Sequence, residues 1–96
     1  VSTDPAAFDP TLPYTLAGSV SLRPEPFGAL VYDYATRRLS FLKTPRLVTV
    51  VRALEHHADA FSALTAADVP AADHDRYLRA LRGLCESGTI HPRRAS

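Results

Sequence analysis

The chain has 96 residues, 46% apolar and 22% charged, with 11 basic against 10 acidic side chains and a formal net charge of +1. That is enough for one domain with a modest core. It leaves little room for a deep active site and lacks the basic excess of a dedicated nucleic-acid binder. A single cysteine, Cys85, excludes an internal disulfide and a multi-cysteine metal site, no apolar run approaches the roughly 20 residues that cross a bilayer, and the first residues lack a secretory signal's segments, so the expected setting is a reducing cytoplasm.

Residues 1–13 contain Asp4-Pro5, Asp9-Pro10 and Leu12-Pro13. Each proline holds the residue before it extended and disfavours helix, so this segment reads as a flexible N-terminal arm that Phe8 is able to pin to the body. The folded domain is expected over 14–91, with 92–96 as a polar tail.

From Tyr14 to Arg23 apolar Leu16, Val20 and Leu22 alternate with small or polar residues, which predicts one half-buried strand with a kink at Gly18. Pro24 and Pro26 are expected to end its ladder. A second strand, Phe27 to Tyr34, is apolar on both faces, as suits the middle of a small sheet. Ala35-Thr36-Arg37 turns into a third strand, Arg38 to Lys43, with Leu39 and Phe41 on one face and Ser40 and Leu42 on the other.

Thr44-Pro45 predicts a helix start, because threonine caps orphan amides and proline suits the first helical position. Leu47, Val48, Val50, Val51 and Leu54 form its apolar stripe, and the helix ends near His56-His57. A short second helix is expected from Asp59 to Ala67, buried through Phe61 and Leu64. A third runs from Ala71 to Ser87, with Tyr77, Leu78, Leu81, Leu84 and Cys85 on its apolar side. Gly88 suits the left-handed residue that stops it, and Ile90 covers its end as the chain turns back. The predicted fold is α+β, a three-stranded antiparallel sheet followed by three helices.

Catalytic motifs are missing: there is no phosphate loop, HExxH, CxxC or GxSxG. His56 and His57 lie about 100° apart on a helix, unsuited to a shared metal, and interaction with the helix C-terminus accounts for them. No metal, cofactor or catalytic residue is expected. Cys85 reads as a small buried hydrophobe, and Asp73 and Asp75 as first-turn carboxylates.

The third strand carries the functional expectation. Nothing follows it in the sheet, so one side presents unpaired amides and carbonyls, and Leu39 to Leu42 bring no blunting charge or proline. A helix beside that edge makes a groove for an extended peptide, with backbone pairing for affinity and side-chain pockets for selectivity. Arg76, Arg79 and Arg82 recur along the third helix. Arg82, nearest the apolar border, is the one expected to reach a carboxylate of an acidic peptide segment.

The runs Leu22-Arg-Pro-Glu-Pro-Phe-Gly-Ala-Leu-Val-Tyr and Arg38-Leu-Ser-Phe-Leu-Lys-Thr-Pro resemble the peptide chaperones of mycofactocin biosynthesis. More broadly they are similar to the recognition elements of ribosomally made, post-translationally modified peptides, including the pyrroloquinoline quinone chaperone. The resemblance covers about residues 14–91. It implies a winged-helix-like fold without cofactor. It also implies that a precursor peptide is added beside the third strand and handed to a radical S-adenosylmethionine enzyme that oxidatively decarboxylates its C-terminal tyrosine and links it to the neighbouring valine.

The implied peptide contacts fall on Arg38, Leu39, Ser40, Phe41, Leu42 and Lys43, and on Tyr77, Leu78, Leu81, Arg82 and Cys85. Arg23, Glu25 and Phe27 are the expected enzyme-docking residues. The protein is expected to be a monomer or weak homodimer, since an open edge also pairs with its own copy. A winged-helix DNA binder is the alternative, but Asp73, Asp75 and Glu86 flank the three arginines it would use.

Overall fold

A computed structural model describes residues 8–93. The fold is α+β, with two antiparallel sheets and three α-helices. Strands β1 (Tyr14–Leu16) and β5 (Ile90–Pro92) pair as a small sheet. Strands β2 (Val20–Glu25), β3 (Gly28–Asp33) and β4 (Arg38–Leu42) form a meander in the order β2-β3-β4. The helices are α1 (Pro45–Ala53), α2 (Ala60–Ala66) and α3 (His74–Glu86).

The strand count corrects the sequence expectation. The predicted strand over 14–23 is two strands in different sheets, because the chain turns at Ala17–Ser19, where Val20 N–H donates to the Ala17 carbonyl. β1 leaves the meander to pair with the chain's far end, Leu16 opposite Ile90. Residues 90–92, expected as a turn and the start of a tail, are therefore a strand. Pro24 does not end the ladder either: it lies within β2 opposite Ala29. β2 is an edge strand, where a missing amide hydrogen is tolerated. The connection shrinks to Pro26-Phe27 between the paired Glu25 and Gly28.

The local signals in the helices act as read. The Thr44 hydroxyl accepts from Leu47 N–H at 3.1 Å, with Pro45 in the first turn. Val50, Val51 and Leu54 are buried. Asp59 caps α2 through Ser62 N–H at 2.7 Å. The buried side of α2 is Ala60, Ala63 and Leu64, whereas Phe61, expected inside, is exposed. A 3-10 turn over Ala71–Asp73 precedes α3, whose buried residues are Leu81 and Cys85. Gly88 ends the helix at φ +80°, and Thr89 N–H returns to the Leu84 carbonyl.

Tyr14, Ala29, Val31, Leu42, Leu64, Leu81 and Ile90 join the α1 stripe in one core. Phe8 packs on Tyr14 at 5.0 Å between ring centroids, and Asp9 N–H donates to the Tyr14 hydroxyl at 2.8 Å. Burial is the main influence on that phenol and raises its pKa. Arg93 ties the chain's end down: its guanidinium donates to the Tyr14 carbonyl at 3.3 Å, the Leu54 carbonyl at 3.4 Å and the His57 carbonyl. Residues 1–7 of the expected arm and 94–96 of the tail lie outside the described residues.

Candidate peptide-binding groove

β4 borders β3 on one side only, so its other edge is open within the described sheet. The register sets what each face carries. Leu42 and Ala29 are opposite one another and buried, as is Val31 opposite Ser40. The alternate residues Leu39 and Phe41 point to the outer face and are more than half exposed, at 58% and 54%. No charge or proline interrupts the open edge between Arg38 and Lys43.

α3 packs against α2 and β5 and leaves a cleft toward β4. One hollow of about 480 Å³ is lined by Phe41, Leu42, Lys43, Thr44 and Leu47 on one side and Arg76, Tyr77, Ala80 and Leu84 on the other. A second, of about 360 Å³, runs along Arg38 to Phe41 toward Leu84, Ser87 and Thr89. They share Phe41 and Leu84, so together they form one groove along the whole of β4.

Arg38 and Lys43 mark the ends of that strand, and Arg76 stands beside Lys43 in the first hollow. Arg76 lies 5.7 Å over the Tyr77 ring and 3.3 Å from the Asp73 carboxylate. Its side chain is 72% exposed, so the pair is well solvated and leaves the guanidinium accessible. At the far end the Asp33 carboxylate is committed to the fold. It accepts from the Ser19 hydroxyl at 2.8 Å and the Ala35 amide at 2.9 Å. The Ser19 hydrogen bond, with help from the Ala35 and Thr36 amides, lowers its pKa. The groove is thus lined by apolar side chains along much of its length, carries Lys43 and Arg76 at one end and Arg38 beside the Asp33 carboxylate at the other, and is open on one side to backbone pairing.

The residues singled out from sequence divide as follows. Arg38, Leu39, Ser40, Phe41, Leu42, Lys43 and Tyr77 line the groove. Leu81 and Cys85 are buried in the core and do not line it. Leu78 and Arg82 are on the opposite flank of α3, around a separate hollow with Phe8, Pro10, Asp75 and Arg79. Ala80 and Leu84 complete the helical wall and were not singled out for the site, although Leu84 belongs to the same apolar stripe. Arg23, exposed, and Glu25, partly buried, form an ion pair at 3.3 Å on β2, and Phe27 stands at the β2–β3 turn. Among the described residues, no cluster of histidine, cysteine, aspartate and glutamate has the grouping to hold a metal, and no helix is long and apolar enough to cross a membrane.

The family model of the peptide chaperone MftB family matches residues 13–91. Curated relatives named "Peptide chaperone MftB" are 47% identical over 89 residues in Mycobacterium ulcerans, covering 93% of this chain and 82% of that one. The relative in Mycolicibacterium smegmatis is 48% identical over 85 residues, covering 88% and 83%. The one in Mycobacterium tuberculosis is 43% identical over 93 residues, covering 97% and 85%. No solved structure matches the chain.

Proposed function

The chain belongs to the peptide chaperone MftB family, and on that premise we propose a non-catalytic chaperone that captures a ribosomally made precursor peptide by strand addition. It presents that peptide to a radical S-adenosylmethionine maturase of mycofactocin biosynthesis, in the cytoplasm. The observation that carries this reading is the open edge of β4 facing a groove walled by α3. An extended segment entering there gains main-chain hydrogen bonds from β4 and buries its side chains against Phe41, Tyr77, Ala80 and Leu84. The recognition unit is residues 14–91, winged-helix-like in that a three-stranded sheet flanks a helical cluster ending in α3. Leu81 and Cys85 anchor α3 in the core.

The Lys43–Arg76 end of the groove favours carboxylates on the bound peptide, and backbone pairing leaves side chains free to select it. The alternative of DNA binding has weaker support. The three arginines do not share one face: Arg76 lines the groove, whereas Arg79 and Arg82 border a separate hollow that also contains Asp75.

Titrating isotope-labelled protein with the precursor peptide is the test. Amide signals of 38–43 and of Arg76, Tyr77, Ala80 and Leu84 are expected to move first. Shifts confined to 8–13, or binding of duplex DNA with a steep salt dependence in place of the peptide, overturn the reading.

A further inference from the structure

The three-stranded sheet has a second face, which the groove touches only at Leu39 and Phe41 on the edge strand. Alternation along β3 buries Ala29, Val31 and Asp33 and turns Leu30 and Tyr32 outward. The register sets Phe41 across from Leu30 and Leu39 across from Tyr32. Phe27 at the turn stands 6.0 Å from Phe41, and Tyr34 meets Tyr32 edge-on at 4.8 Å. Phe27, Leu30, Tyr32, Tyr34, Leu39 and Phe41 therefore make one contiguous apolar and aromatic patch. Phe27, Tyr34, Leu39 and Phe41 are exposed at 46%, 64%, 58% and 54%, although every large residue of the opposite face of β3 is buried. A patch of this kind on a small domain marks a protein contact, not a fold requirement.

Charge at its border selects the occupant. Arg23 and Glu25 lie on the same face of β2 and pair with each other. Arg37 at the β3–β4 turn and Lys43 beyond β4 have no carboxylate among the described ion pairs. The rim is net positive. A second copy would bring the same cations against it, whereas a partner with an apolar surface rimmed by carboxylates complements it.

The patch also continues onto the groove. A peptide paired with β4 extends the sheet by one strand, and every second side chain of that strand joins this outer face. On the strand-addition reading, a loaded peptide enlarges this surface.

We propose that the outer face of β2-β3-β4 is the docking surface for the peptide-modifying enzyme, which meets it through an apolar patch rimmed by carboxylates and reads the loaded state directly. This rests on the chaperone reading above and goes beyond it by assigning the enzyme-facing surface.

The test uses the full chain, the precursor peptide and the purified radical enzyme, with Leu30→Glu and, separately, Arg23→Glu. Neither residue lines the groove. For both variants the peptide affinity is expected to stay within about twofold of the parent, while enzyme affinity measured with peptide present falls at least about tenfold. Enzyme affinity of the parent protein should also rise when peptide is added. Undiminished enzyme binding by folded Leu30→Glu and Arg23→Glu overturns the docking surface and leaves peptide capture standing. Failure of the parent protein to bind the peptide at all overturns the chaperone reading itself. Sedimentation showing a dimer of the parent chain that Leu30→Glu dissolves assigns the face to a second copy and overturns the heterologous partner. Arg23 is exposed, so its charge reversal tests the surface even where Leu30→Glu fails to fold.

Discussion

The rings of Phe27 and Phe41 stand 6.0 Å apart at an interplanar angle of 59°, joining the β2–β3 turn to the open edge strand. Both are about half exposed, so the pair contributes little to the core. Phe41 nevertheless borders both hollows of the groove. Phe41→Ala is expected to cost about 0.5 kcal/mol or less in folding stability. It should weaken peptide binding about tenfold, or about 1.4 kcal/mol. Chemical denaturation and calorimetric titration on the same preparation separate the two effects.

Gly28 is required by backbone geometry. It sits at φ +155°, and a Cβ there would collide with the carbonyl oxygen of Leu42 on the neighbouring strand. Gly28→Ala must push β4 away from β3 or distort the turn. The expected loss is about 2–4 kcal/mol, with peptide binding falling in parallel because the edge is displaced. An alanine variant as stable as the parent in urea denaturation would show that the β3–β4 spacing gives more easily than the Leu42 carbonyl implies.

How much was legible in the sequence depends on how far apart the cooperating residues lie. Thr44-Pro45 and Gly88 carry their signals within one helical turn, and the structure bears them out. The β3–β4 hairpin was legible because alternation and a short loop suffice to define it. The splitting of 14–23 was not, since the partner of Leu16 is Ile90 at the other end of the chain. The groove's helical wall shows a finer limit. Periodicity identifies the stripe of α3 but not which of its borders faces β4. Tyr77, Ala80 and Leu84 form one border and Leu78 and Arg82 the other, with Leu81 between them, and packing against α2 and β5 decides the rotation.

Arg93 illustrates a residue whose role is set wholly by tertiary placement. Read as part of a polar tail, it instead donates to three backbone carbonyls, at Tyr14, Leu54 and His57. Its own amide bonds to the Pro13 carbonyl at 3.0 Å. Arg93→Ala is expected to cost about 1–3 kcal/mol, since hydrogen bonds from a charged donor are among the stronger ones. Arg93 itself does not line the groove, so peptide affinity measured below the unfolding transition should be unchanged.

Stability should fall on acidification through a small set of capping carboxylates. Asp33 is held below the ordinary value of 3.8, chiefly by the Ser19 hydroxyl. Asp9 is lowered by Thr11, and Asp59 by the Ser62 amide at the start of α2. A depressed folded pKa adds stability that is fully present above the unfolded value and is lost as the pH drops through the folded one. Urea midpoints are therefore expected to be flat near neutrality and to decline below about pH 4, the unfolded carboxylate range. Asp33→Asn should lower the plateau and flatten part of that acid limb. An unchanged acid limb would remove Asp33 from the group responsible.

The two ends of the arginine series on α3 separate the two flanks of that helix. Arg76 shares the groove's first hollow with Lys43, whereas Arg82 lies with Arg79 and Leu78 on the far side. If carboxylates of the bound peptide meet the basic end of the groove, Arg76→Glu should weaken binding by about 1 kcal/mol or more, because it replaces an attraction with a repulsion at short range. The loss should be largest at low salt and shrink as ionic strength rises. Arg82→Glu, at the position expected from sequence to contact a carboxylate, changes the same net charge from the other flank. It should leave affinity within about twofold and change only the weak long-range term. Calorimetric titrations of both variants at two salt concentrations decide between the flanks. A larger effect at Arg82 would place the peptide's acidic segment over the Phe8–Leu78 side of α3 and move the binding path away from Tyr77 and Ala80.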